Sequence, residues 1–196
     1  MKKIFLTLTI LILTFSTQIV ADTSNSIQRI YEGNKDAKVT IITYESLTCG
    51  HCADFHKNVY PQLKKEFIDA GLVKIEFRHF PLDMAALNAS KIAQCNNDGK
   101  SDILHFLFSN QKKWAIGETV ETANENLKKL LKDENIVIDF EKCTNNKKIE
   151  DYVLNDRIEG VKKFKVNATP TIIINNKKFD KSLNYKNLKK SIEKLI

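Results

Sequence analysis

The residues with the most chemistry in this chain of 196 are Cys49 and Cys52, set in the run Thr48-Cys49-Gly50-His51-Cys52. Two thiols separated by two residues can close into a disulfide and reopen, so the spacing suits thiol–disulfide exchange. The neighbouring sequence sharpens this. Val39 to Tyr44 is β-branched and apolar on both parities, the pattern of a central strand covered on two faces. From Cys49 the period changes, and Cys52, Phe55, Val59, Leu63 and Phe67 recur every three or four residues along one helical face. Cys49 thus stands where a strand gives way to a helix. There the unpaired amides and positive dipole end of the first turn favour a thiolate over a thiol. Cys52, one turn further in, is the more buried and resolving partner. His51 can add a donor or a positive charge, and Gly50 leaves the approach to sulfur uncluttered.

The energetic consequence has a definite sign. A fall in the pKa of Cys49 from ~8.5 to ~5 would stabilise the reduced protein at pH 7 by about 2.7 kcal/mol and make the disulfide about 60 mV more oxidising. Such a disulfide tends to be passed to another dithiol, with Cys49 as the good leaving group. Zinc would need four ligands, and no second close pair exists, because Cys95 and Cys143 lie far from each other and from the first pair. A purely structural bond across so short a loop would contribute little stability.

The surrounding elements follow from periodicity. Gly71 can end the first helix, with Pro61 kinking it, and Val73, Ile75 and Phe77 alternate with Lys74, Glu76 and Arg78 as a strand with one wetter face. From Pro81 to about Gly160 the pattern is helical, with segments around Met84 to Cys95, Ile103 to Lys112, Thr119 to Leu131 and Phe140 to Val153. Strand chemistry returns at Thr171 to Ile174, followed by Asn175-Asn176 and Lys177 to Phe179 as a hairpin. Leu188, Ile192, Leu195 and Ile196 then form the stripe of a closing helix. The expected fold is α/β, a central mixed sheet flanked by helices, its halves at residues 22–80 and 161–196 separated by an all-helical insertion at 81–160.

Ala168-Thr169-Pro170-Thr171 sits directly before that late strand. Cys-Gly-His-Cys after a strand, then Thr-Pro before a hairpin and a final helix, resembles the thioredoxin superfamily. The helical insertion and an export signal make the chain similar to the DsbA-like thiol:disulfide oxidoreductases in particular. The resemblance implies a cis peptide bond at Thr169–Pro170 apposed to the Cys49 sulfur, with the Thr169 backbone holding an extended substrate chain like an added strand. It also implies a catalytic set of Cys49, Cys52 and His51. Relatives commonly carry a buried acid six positions before the first cysteine, where this chain has Thr43; Glu45, on the same strand face, is the candidate proton acceptor for Cys52. The Gly-His dipeptide and the Thr before Pro also occur in isomerase-type members. The resemblance further implies reduced or unfolded exported proteins as substrates, a DsbB-like membrane reoxidant, and no metal or organic cofactor. A reductase or isomerase of the same fold stays open as an alternative, as does a non-catalytic chaperone or peptide-binding module.

The rest of the chain bounds the reading. Lys2 and Lys3 precede an apolar run from Ile4 to Phe15 that ends near Ala21, which reads as a signal peptide over residues 1–21 and directs the protein to the periplasm. An uncleaved anchor is the alternative. Removing those two lysines takes the net charge from +7 to +5. The remaining lysines are scattered among acidic residues without interleaved aromatics, so no nucleic-acid partner is expected. Charged residues at 28% beside 42% hydrophobic ones exclude a disordered polar chain. A monomer is expected. In an exported protein Cys95 and Cys143 are expected to pair, closing a loop of about 49 residues that would destabilise the unfolded state by about 4 kcal/mol; two buried thiols are the alternative. His56, His79 and His105 read as packing residues, and Trp114 as either core or substrate contact.

Overall fold

A computed structural model describes residues 26–196, so the export signal expected over residues 1–21 lies outside the described part. The centre is a five-stranded mixed sheet in the order β1 (Tyr31–Glu32), β3 (Val73–His79), β2 (Val39–Glu45), β4 (Thr171–Ile174), β5 (Lys177–Lys178). β2 runs parallel to β3, and the other pairs are antiparallel. β2 is central and buried along almost its whole length, as its β-branched sequence demands. The two-residue alternation sorts its side chains. Val39 and Ile41 join the main core beneath the helices, and Ile42 and Tyr44 face a second cluster with Phe80, Phe164, Val166 and Ile173. Glu45 shares the parity of Val39 and Ile41.

Between the parallel strands runs a broken helix. α1 (Gly50–Asn58) stops at Val59, α2 spans Tyr60–Leu63, and a π-helical turn covers Lys64–Ile68. Pro61 has no amide hydrogen and cannot extend the α1 ladder, which accounts for the break beside it. Gly71, at φ +72°, then closes the helix with the Gly71 amide donating to Ile68 and the Leu72 amide to Phe67. β1, only two residues long and set in a polar stretch, was not foreseen from the sequence.

The helical block holds α3 (Met84–Gln94), α4 (Asp102–Ser109), α5 (Gln111–Trp114), α6 (Val120–Asp133), α7 (Phe140–Thr144) and α8 (Lys147–Phe164). The segment expected from Phe140 to Val153 is two helices, because the Asn146 side chain accepts the Lys148 and Ile149 amides and starts α8 afresh. α8 then runs through residue 160 and lays its last turns on the sheet. A Cβ on Gly160 would come within 2.8 Å of the Tyr44 ring, so this residue sets how closely α8 approaches β2. Cys95, after α3, is disulfide-bonded to Cys143 in α7. Trp114 is fully buried, its indole N–H donating to the Leu107 carbonyl at 2.9 Å, which makes it a core residue.

The closing hairpin turns through Asn175 and Asn176, both at positive φ, as a two-residue turn requires. α9 (Tyr185–Ile192) buries Leu188 and Ile192. The stripe expected to continue to Leu195 and Ile196 stops short, because the helix ends at Ile192 and both later residues are exposed.

Candidate active site

Cys49 is the N-cap of α1 rather than its first helical residue. Its amide donates to Ser46, and its carbonyl accepts the Cys52 and Ala53 amides. The turn is gripped from the helical block: the Gln111 side-chain amide, buried, donates to the carbonyls of Leu47 at 2.8 Å and Cys49 at 3.0 Å. Thr48 donates to Asp83 at 2.7 Å, and Asp83 in turn caps α3 through the Ala86 amide. Neither Gln111 nor Asp83 stood out in the sequence, since each lies tens of residues from the cysteines it holds.

The two sulfurs are free thiols in opposite environments. Cys49 is partly exposed and Cys52 fully buried. The Cys52 thiol donating a hydrogen bond, together with the Thr169 hydroxyl and the backbone amides of Cys52 and His51, outweighs burial and brings Cys49 down to about 5. Burial pushes the Cys52 thiol far above the usual range, reinforced by its bond to Cys49 and by the charge of Glu45. The pair therefore shares one proton, and Cys52 holds it. His51 contributes through its backbone amide, while its side chain is exposed. A Cβ on Gly50 would meet nothing within 4 Å, so the face beside the sulfur is open.

Thr169 and Pro170 arrive from the far end of the chain. The peptide bond between them is cis, and the Thr169 carbonyl lies 3.3 Å from the Cys49 sulfur. The Thr169 hydroxyl is buried and helps to lower the Cys49 thiol. Beside them an open groove of about 880 Å³ is walled by His51, Phe55 and Val59 from the first helix and by Leu183 and Tyr185 at the start of α9. The structure thus brings Cys49, Cys52, His51, Thr169 and Pro170 together.

Glu45 lies on the inner side of the site. Its carboxylate is buried, with Oε2 2.8 Å from His56 Nε2 and Oε1 without a partner. Cys52 and His56 are one turn apart on α1, so both face the same strand parity. Among the described residues no group of three or more His, Cys, Asp or Glu is arranged to hold a metal ion. Cys95 and Cys143 are bonded to each other, which leaves Cys49 and Cys52 as the free pair.

Residues 25–194 match the family model described as Thioredoxin. Among solved structures the fold resembles Wolbachia pipientis alpha-DsbA1, with a TM-score of 0.74 and 31% identity over 85% of this chain and 90% of that one. A protein of Rickettsia bellii (strain RML369-C), provisionally named a protein-disulfide oxidoreductase, is 29% identical over 73% of this chain and 55% of its own length. Disulfide bond formation protein D of Bacillus subtilis (strain 168) is 28% identical over 83% of this chain and 74% of its own. The chain spans little more than half the length of the Rickettsia bellii relative it matches.

Proposed function

The chain belongs to the thioredoxin family, and from that premise we propose that it is a DsbA-type thiol:disulfide oxidoreductase that donates its Cys49–Cys52 disulfide to reduced proteins. The observation that carries this is the division of labour between the sulfurs: Cys49 is held near 5 and reachable, while Cys52 is buried and protonated. A substrate thiolate attacks Cys49; the bond to Cys52 breaks and a mixed disulfide forms. A second substrate thiolate then attacks the substrate sulfur of that bond, and Cys49 departs as a thiolate. Because the reduced form gains the charge stabilisation, the disulfide is the more oxidising by up to about 60 mV at neutral pH. Glu45, whose charge bears on the Cys52 thiol, is the proposed proton partner of Cys52, which must be protonated when it leaves and deprotonated when the disulfide is rebuilt. Thr169 and Pro170 dock an extended client segment in the groove, with Thr169 offering its backbone as a strand edge.

The signal peptide expected over residues 1–21 supports action in the periplasm on newly exported proteins as a monomer, with a DsbB-like membrane protein withdrawing the electrons. The test is the equilibrium of the Cys49/Cys52 couple against glutathione. A potential well above the roughly −270 mV of thioredoxin supports the donor role, and one at that level makes the protein a reductase instead. Cys49→Ser should abolish oxidation of a model dithiol peptide; undiminished oxidation would falsify the exchange mechanism.

A further inference from the structure

Glu45 is the inner end of a chain of hydrogen bonds that reaches the surface. Its Oε2 meets His56 Nε2 at 2.8 Å, His56 Nδ1 meets His105 Nδ1 at 3.0 Å, and His105 Nε2 meets Glu32 Oε1 at 2.7 Å. The four residues come from β2, α1, α4 and β1, so the helical insertion supplies one link. Side-chain exposure is 3% at Glu45 and 4% at His56 but 24% at His105 and 15% at Glu32, so water reaches the outer pair and not the inner one. Glu32 lines an open surface depression with Gln28, Tyr31 and Ser101. Stacking holds the rings in place: His56 lies on Phe108 at 4.1 Å between centroids, and His105 on Tyr60 at 4.5 Å.

We propose that Glu45, His56, His105 and Glu32 form a relay that carries the Cys52 proton between the buried sulfur and solvent. The inference deepens the exchange function proposed above and rests on it. Two facing Nδ1 atoms can bond only if one donates and the other accepts, so each gap of the chain holds one proton and each proton can occupy either side of its gap. When a substrate thiolate attacks Cys49, the Cys49–Cys52 bond breaks, a Cys49–substrate bond forms, and the electron pair leaves on Cys52. Cys52 takes a proton from Glu45, Glu45 is refilled from His56 Nε2, His56 through Nδ1 from His105, and His105 from water by way of Glu32. Net, one solvent proton ends on Cys52. Rebuilding the disulfide with a reoxidant disulfide runs the protons outward.

The surroundings suit such a path. Burial pushes the Glu32 carboxyl up, but the bonds from His105, Ser101 and Tyr60 outweigh it and bring it down to about 2, so Glu32 is ionised at rest and takes a proton only as it passes between water and His105. The titratable and charged groups facing the chain are Cys52 from α1, Tyr60 from α2, Lys64 from the π turn at 3.3 Å from Glu32, and His79, paired across β3 with Glu45. A plain ion-pair cluster would need neither the Nδ1–Nδ1 contact nor an outer end that water reaches.

The test is stopped-flow reduction of the oxidised full chain by excess dithiothreitol, with the Cys49 titration followed in parallel. His105→Ala and Glu32→Gln are expected to slow the first exchange step about tenfold or more while leaving the Cys49 titration in place, and free imidazole is expected to restore His105→Ala. Unchanged rates, or a loss that imidazole does not restore, overturns the relay. If His105→Ala does not fold, the partly exposed Glu32→Gln decides alone by the same rate. Should the wild-type disulfide itself resist dithiothreitol, the exchange function falls first, and separately.

Discussion

Cys52 does more to Cys49 than any other group around it, because its thiol is the largest cause of the low Cys49 value and the helix amides add to it. Cys52→Ala is therefore expected to raise the Cys49 midpoint from about 5 by about one pH unit or more, read as thiolate ultraviolet absorbance against pH. A midpoint that stays put would assign the effect to the backbone amides alone. At this scale the sequence was informative where the chemistry is local. The motif, the opposite roles of its two cysteines and the strand face of Glu45 follow from spacing and period. His56 and His105 read only as packing residues, because the bond between them joins positions 49 apart and no local pattern records it. The contact between the Cys49 sulfur and the Thr169 carbonyl, across 120 residues of chain, came only through the family resemblance.

Between elements, the main unforeseen feature is how the helical block holds the cysteine turn. Gln111 satisfies two carbonyls of that turn from a buried position. Gln111→Ala would leave them without a donor, so a loss of about 1–3 kcal/mol is expected in urea unfolding, with slower exchange as the turn loosens. A variant as stable as the wild type would show that water takes over the role. The Cys95–Cys143 bond ties α3 to α7 within the same block. Converting both cysteines to Ala is expected to cost about 2–4 kcal/mol while sparing the Cys49/Cys52 potential, since neither is among the groups that set the Cys49 thiol. The strand-helix-strand unit and the late hairpin were legible because their periods change sharply. The restart at Asn146 was not, since two asparagines in a polar helix give no signal until one of them caps.

For the molecule as a whole, the Cys49 thiolate is a charge that only the reduced, folded protein stabilises. Its folded value near 5 lies below the ~8.5 of an unfolded thiol. The stabilisation is therefore complete above about pH 8.5 and is lost as pH falls through about 5. Reduced protein should melt above oxidised protein at neutral pH, with the gap closing towards pH 5, in paired calorimetric scans. A gap independent of pH would contradict the assignment of the charge to Cys49. The order of the chain adds a last consequence. Thr169, Pro170 and the α9 side of the groove emerge from the ribosome long after Cys49. Throughout synthesis the reactive sulfur lacks its docking partner, so a truncated product keeps a half-built cradle that cannot seat a client.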